Sequence, residues 1–188
     1  MKDIQLPSPQ ITGGMPLMDA LSKRASFRSF SPKELDKQQL SNLLWAAFGF
    51  RCEKRRTAPS SHNRQEIELY VCLPSGVYIY DAIDNVLRAH CEGDFRVATG
   101  SQDYVWTAPV NVIMVSDTAK IKGKTEQGII ETIYANTGFI SENIYLFCTS
   151  EGLSSVTRAL IDKEQLSKIL GLAPTQVITL IHTVGYAL

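Results

Sequence analysis

Apolar residues recur at helical spacing in some stretches of this chain and alternate or run together in others. Residues 15–26 (MPLMDALSKRAS) place Leu17, Met18 and Leu21 at helical spacing, with Lys23 and Arg24 near the end. Residues 35–49 (LDKQQLSNLLWAAFG) carry a stripe of Leu40, Leu43, Leu44 and Ala47, which predicts an amphipathic helix with Asp36 as N-cap and Gly49 at its end. The longest pattern covers residues 125–152. Apolar residues recur there at 129, 130, 133, 140, 144, 147 and 148, and only Glu131 and Glu142 interrupt the middle. A helix this long with so little charge is expected to be buried on most sides, at the domain centre, at a subunit interface, or both. Shorter helices are predicted over 82–90 and over 162–172, the latter with Asp162 as N-cap.

Residues 66–73 (EIELYVCL) alternate and are rich in β-formers. Residues 74–81 (PSGVYIYD) follow through a Pro-Ser-Gly turn, so the two predict a β-hairpin. Residues 108–116 read as a buried strand, 153–161 as a short strand and turn, and 176–188 as a final strand. The first 14 residues hold two prolines and two glycines and predict an extended arm lying on a surface. Residues 27–35 form a loop with a turn signal at Ser31-Pro32, 50–63 a long basic and polar loop, and 93–106 mostly loop. Helices and strands mix without a β-α-β alternation, so the expected class is α+β. No repeat or linker divides residues 1–188, which read as a single domain.

Charge narrows the partners. Lys+Arg and Asp+Glu are both 19, and a net charge of zero argues against a broad electrostatic footprint for nucleic acid or anionic membrane. It also gives little colloidal repulsion, so self-association is plausible. Cys52, Cys72, Cys91 and Cys148 make no C-x-x-C pair and read as thiols in a reducing, cytoplasmic setting. His62, His90 and His182 show no metal-ligand spacing, so no metal site is expected. The N-terminus lacks the apolar core of a signal peptide, although a leader already removed would leave no trace. No stretch has the roughly 18 apolar residues of a membrane span.

Nucleotide and hydrolase motifs are missing: there is no G-x-G-x-x-G, no P-loop and no G-x-S-x-G elbow. Three polar clusters remain. Arg24-Ala25-Ser26-Phe27-Arg28 offers two guanidinium forks around a hydroxyl, a phosphate-binding chemistry. It also reads as a basic helix end that complements its own dipole. Pro59-Ser60-Ser61-His62-Asn63 puts more polar groups before a strand than a turn needs, and Asn63 offers both a donor and an acceptor. Its plainer reading is a loop. Gly152-Leu153-Ser154-Ser155-Val156 follows the long helix and reads equally as a C-cap and turn.

In this order the clusters resemble the FMN-dependent nitroreductase family. Arg24, Ser26 and Arg28 match its R-x-S-x-R run. Pro59, Ser60 and Asn63 match its P-S-x-x-N run, and Gly152, Leu153 and Val156 its G-L-x-x-V run. Val184, Gly185 and Tyr186 match its closing V-G-Y. The similarity runs from about residue 17 to the end. The L-L-W-A-A-x-G wording and the R-T-A-P-S loop look most like the short branch related to thiazoline-oxidising enzymes. The resemblance implies a three-layer sandwich with a central, mostly antiparallel sheet, and a homodimer with FMN at an interface built around the long helix. It implies that Arg24, Ala25 and Ser26 hold the phosphate and that Arg28 lies near the pyrimidine edge. Pro59, Ser60, Ser61 and Asn63 would line the ring. Thr157, Arg158, Ala159 and Leu160 would pass one face of it, with the Ala159 N–H near flavin N5. No side chain is then required as acid or base.

The implied activity is ping-pong: NAD(P)H delivers a hydride, and a nitroaromatic, quinone or similar electrophile then takes the electrons. One departure stands out. Many members carry Lys or Arg just after the final strand as a phosphate ligand, whereas here the chain continues only with Ala187-Leu188. Arg158 or a basic residue of 51–56 is the expected substitute. Arg158 also sits where the family is usually apolar, beside the ring. The rival readings are a flavin-binding protein with little turnover, serving storage or sensing, and an α+β interaction protein without cofactor. A funnel blocked by Arg158 or by the 91–106 loop would favour the first rival.

Overall fold

The computed structural model of the protein describes residues 1–188. Its centre is a seven-stranded sheet in which every neighbouring pair is antiparallel. The strands are β1 (Ile4–Gln5), β4 (Ile67–Leu73), β5 (Gly76–Asp81), β6 (Val86–Glu92), β7 (Val110–Asp117), β8 (Ser154–Arg158) and β9 (Gln176–Gly185). Their spatial order is β1-β6-β5-β4-β7-β9-β8. The remaining two, β2 (Phe50–Cys52) and β3 (Arg55–Arg56), form a separate ribbon. The helices are α1 (Leu17–Lys23), α2 (Lys37–Phe48), α3 (Glu126–Ser150) and α4 (Lys163–Ile169).

Three layers follow from the two sheet faces. On one, Leu43 and Leu44 of α2 and Ile140 and Ile144 of α3 pack with Leu69, Val71, Val112 and Met114. On the other, Leu166 and Leu170 cover Tyr70, Ile113, Val115, Ile178 and Ile181. Each such side chain contributes about 1.5–3 kcal/mol by leaving water. Strands β4 and β7 alternate between both clusters, so they read as nearly continuous apolar runs.

Local chemistry explains most boundaries. Asp36 and Gln39 form a reciprocal capping box at the start of α2. Thr125 and Asp162 cap α3 and α4 through side-chain oxygens. The N-terminal arm is indeed extended: β1 adds to β6, Leu6 is buried, and the Pro7 carbonyl accepts from Ser41 and Asn85.

Four expectations need correction. Residues 82–90 are a turn and a strand, not a helix. Asp81 Oδ1 accepts from the N–H groups of Ile83 and Asp84, Asn85 takes a left-handed φ of 51°, and β6 then pairs on both sides. Local turn chemistry and long-range pairing outweighed helical propensity there. The 50–63 loop contains the β2–β3 ribbon, held where Arg56 lies between the rings of Phe48 and Phe50, 4.4 and 4.1 Å away. Helix α1 buries only Ala20 and exposes Leu17, Met18 and Leu21. Finally, α3 is not buried on most sides of one chain. Its inner face is covered, but Ile130, Tyr134 and Phe139 are 43%, 38% and 47% exposed on the other.

Candidate active site

Gly152, at φ 68°, reverses the chain after α3, and the Leu153 N–H closes on the Cys148 carbonyl at 2.8 Å. This left-handed cap suits glycine and swings β8 back along the helix that precedes it. Strand β8 is a sheet edge. Phe27 N–H donates to the Ser155 carbonyl at 3.0 Å, which lays the 24–28 loop against that edge.

Tyr145 joins the two clusters. Its hydroxyl lies 2.7 Å from Ser26 Oγ and accepts the Thr157 N–H at 2.9 Å, while the Arg24 guanidinium sits 5.1 Å over its ring. Two residues further along the same edge direction, the Ala159 N–H finds no acceptor in the chain, and Ala159 and Leu160 are exposed. Thr157 Oγ1 is buried without a hydrogen-bond partner. The site therefore presents one guanidinium, the Ser26 hydroxyl, a lone buried hydroxyl and a free backbone donor. Tyr145 was missed from sequence. Its only signal was an aromatic ring among the small polar and aliphatic residues of the buried face of α3.

Arg28 leaves this group. It lines a cleft of about 640 Å³ with Phe30, Gln102, Tyr104 and Leu188.

The 59–63 loop is anchored elsewhere on α3. The Ser61 N–H donates to Asn136 Oδ1 at 3.2 Å, and Asn136 Nδ2 donates to Glu66 Oε1 at 2.6 Å. Glu66 is fully buried and its second oxygen has no partner. Gln65 N–H donates to Ser60 Oγ, and Asn63 uses its amide on Lys54 and Gln65. Asn63 thus ties the loop to the ribbon turn through Nδ2, while its Oδ1 accepts from Gln65, which donates to the same Lys54 carbonyl. Asn136 and Tyr145 are nine residues apart, which is about 14 Å and two and a half turns of helix. The second cluster consequently lies on the opposite side of α3 from the first and third within one chain.

Arg158 is not beside the open edge, contrary to expectation. Its side chain is buried on the other face of β8, under the 96–107 loop. Nε donates to Thr183 Oγ1, Nη1 to the Thr99 carbonyl, and Nη2 to Asn111 Oδ1, at 2.8, 2.7 and 2.9 Å. Asn111 in turn holds the Val105 carbonyl. A Cβ at Gly100 would meet Nη1 at 2.1 Å, so any side chain there would have to displace the guanidinium from its partners. No carboxylate neutralises this guanidinium, and burial pulls it down to about 10. His182, also fully buried, packs edge-on to Tyr145 at 4.5 Å and meets Ser141 Oγ through Nδ1. Burial first, then the Arg158 charge, pushes its imidazole down to about 3, so it is neutral.

The Nitroreductase family profile matches residues 21–186. A protein of Methanocaldococcus jannaschii described as a nitroreductase is 28% identical over 182 residues, 89% of this chain and 89% of that protein. The crystal structure of a Ralstonia eutropha protein described as a nitroreductase superposes with a TM-score of 0.92 at 36% identity, covering all of this chain and 90% of that one. At 21% identity, a Clostridium acetobutylicum protein described as an NADH oxidase shares the fold, with a TM-score of 0.62 and coverage of 90% and 88%. With its profile matched over nearly the full length and its architecture shared, this chain belongs to the nitroreductase family and is an oxidoreductase.

Proposed function

We propose that the protein is an FMN-dependent, NAD(P)H-consuming reductase of nitroaromatics, quinones or similar electrophiles, working as a homodimer. The observation that carries this reading is the junction at Tyr145. It brings a phosphate-type cluster and a free backbone donor to one sheet edge, and the lone Thr157 hydroxyl beside them wants a polar partner. These residues fit a flavin mononucleotide: an anion for Arg24 and Ser26, and an acceptor for the Ala159 N–H. When bound, FMN would supply two-electron chemistry between donor and acceptor.

The chain's own work is binding and orientation. Arg24 supplies charge to the phosphate, and Ser26, oriented by Tyr145, adds a hydroxyl. Thr157 N–H is spent on Tyr145, which fixes the strand so that the next outward donor, Ala159 N–H, would be available to a ring nitrogen of the flavin. No side-chain acid or base is needed. The 59–63 loop lies on the wrong side of α3 to serve the same ring, so a second copy supplies it. The exposed Ile130, Tyr134 and Phe139, with Leu17, Met18 and Leu21, form the apolar surface such a partner would cover. Arg158 lies beneath the 96–107 loop, so the low-turnover reading loses that support.

A visible absorbance spectrum of the purified protein tests this, before and after anaerobic NADPH or NADH. Flavin bands that bleach are expected. A protein that shows no flavin bands even after FMN is added refutes the reading.

A further inference from the structure

Beside the Pro59–Asn63 loop opens a cleft of about 650 Å³, lined by Arg51, Arg55, Arg56, Thr57, Ser60 and Asn63 among others. No carboxylate lines it. Arg51 and Arg55 are exposed on the β2–β3 ribbon and make no hydrogen bond or ion pair within the chain. Arg56 is different. Stacked between Phe48 and Phe50, it spends Nε on Gln65 and Nη1 on the Phe48 carbonyl, which leaves Nη2 free. Two exposed, unpartnered forks and one stacked fork thus line a space of the size that holds a phosphorylated nucleoside. Like charges crowded together without counter-charge are tolerated where an anion visits.

We infer that this arginine cleft is the 2′-phosphate subsite of the dinucleotide donor and makes the enzyme select NADPH over NADH. The inference rests on the reductase reading given above. Under that reading Arg24 and Ser26 hold the flavin phosphate, and the arginines of 51–56, expected from the sequence as a substitute ligand for it, are assigned instead to the molecule that visits the ring. Dinucleotide sites that prefer NADH place a carboxylate on the ribose 2′-hydroxyl, whereas an arginine accommodates a 2′-phosphate. This cleft has arginines and no carboxylate. Planar guanidiniums also bind phosphate through paired donors, which a lone ammonium does not.

The test pairs calorimetry with kinetics, on the purified protein and on an Arg51→Ala/Arg55→Ala variant. Both side chains are exposed and unpaired, so the fold should tolerate their loss. The wild type is expected to bind 2′,5′-ADP at least tenfold more tightly than 5′-AMP, and to favour NADPH over NADH at least tenfold in kcat/KM. In the variant both ratios should fall to within twofold of unity, with flavin content unchanged. An Arg51→Lys/Arg55→Lys variant should recover only part of the preference. Equal binding of the two nucleotides by the wild type overturns the proposal, as does a preference that survives the alanine variant. Loss of flavin from the variant also overturns it, because the cleft would then hold the FMN phosphate. The nucleotide titration needs no turnover, so it fails or succeeds independently of the reductase assay.

Discussion

Replacing His182 by Phe should remove one proton from the acid unfolding of this protein. In the folded state the imidazole stays neutral down to about 3, whereas an unfolded histidine takes up a proton near 6.5. The folded pKa is depressed, so at pH between these values the unfolded chain binds more protons, and stability falls as pH falls. His182 is therefore without penalty above about pH 6.5 and costs progressively more as pH drops towards 3. Near pH 5 the slope is about 1.3 kcal/mol per pH unit, and from pH 6.5 to 4 the loss comes to about 3 kcal/mol. That is a large share of the roughly 5–15 kcal/mol that holds a typical domain folded. Phe keeps the ring volume against Tyr145, and the Ser141 hydroxyl, freed from His182, can turn to a carbonyl of its own helix. The assay is urea unfolding, followed by fluorescence at fixed protein concentration, every half unit from pH 4 to 7. Asp3, Asp81 and Asp94, all held below the usual carboxylate range, affect both proteins alike. The difference curve then isolates His182. Parallel curves for wild type and variant would refute the argument that this imidazole is buried and neutral.

Four further outcomes are expected. Arg24→Ala should weaken FMN binding by about 2 kcal/mol, roughly 30-fold, by removing a charge-assisted contact; an FMN titration by fluorescence quenching reads it. Tyr145→Phe leaves the Thr157 N–H without its acceptor and should cost about 1–3 kcal/mol of stability, measured by denaturant midpoint. Arg158→Met should cost about 3 kcal/mol by orphaning the Thr99 carbonyl and part of Asn111, and should speed proteolysis within 96–107. Phe139→Glu should shift the protein from dimer to monomer in light scattering, because it puts a charge on the exposed apolar face of α3.

What was legible in the sequence is what depends on neighbours along the chain. Asp36 and Asp162 cap helices that begin where capping chemistry says they must. The β4–β5 hairpin follows from alternation and a Pro-Ser-Gly turn. The three polar clusters were found because each is contiguous. What was not legible depends on partners far away in sequence. Nothing local to Tyr145 announces that its hydroxyl serves Ser26, 119 positions earlier. Nothing near Glu66 shows that Asn136 will meet it 70 positions later. Arg158 was misplaced because strand alternation fixes its face only once the neighbours of β8 are known. The 82–90 segment failed for the same reason, since its strand character comes from pairing with β5 and β1.

The two buried polar networks have a common mechanical consequence for β8. An edge strand is ordinarily the most easily frayed part of a sheet. This one pairs only with β9, yet under the proposed function it would aim a backbone donor, and a misplaced donor loses most of its value in a reaction centre. On one face Arg158 ties the strand to Thr183, Asn111 and the 96–107 loop. On the other, Tyr145 takes the Thr157 N–H and rests against His182. Along the open edge the Phe27 N–H pins the Ser155 carbonyl. Each restraint buries polar groups at some cost in desolvation, and replacing the guanidinium together with all its polar partners by well-packed apolar groups would be at least as stabilising, whereas removing the guanidinium alone orphans those partners. Hydrogen bonds fix direction where apolar contacts do not, which is a physical reason to keep such groups beside a donor that must point at one atom. Under the proposed function, the unpaired Ala159 N–H, immediately after the last restrained residue, is where that rigidity would be put to use.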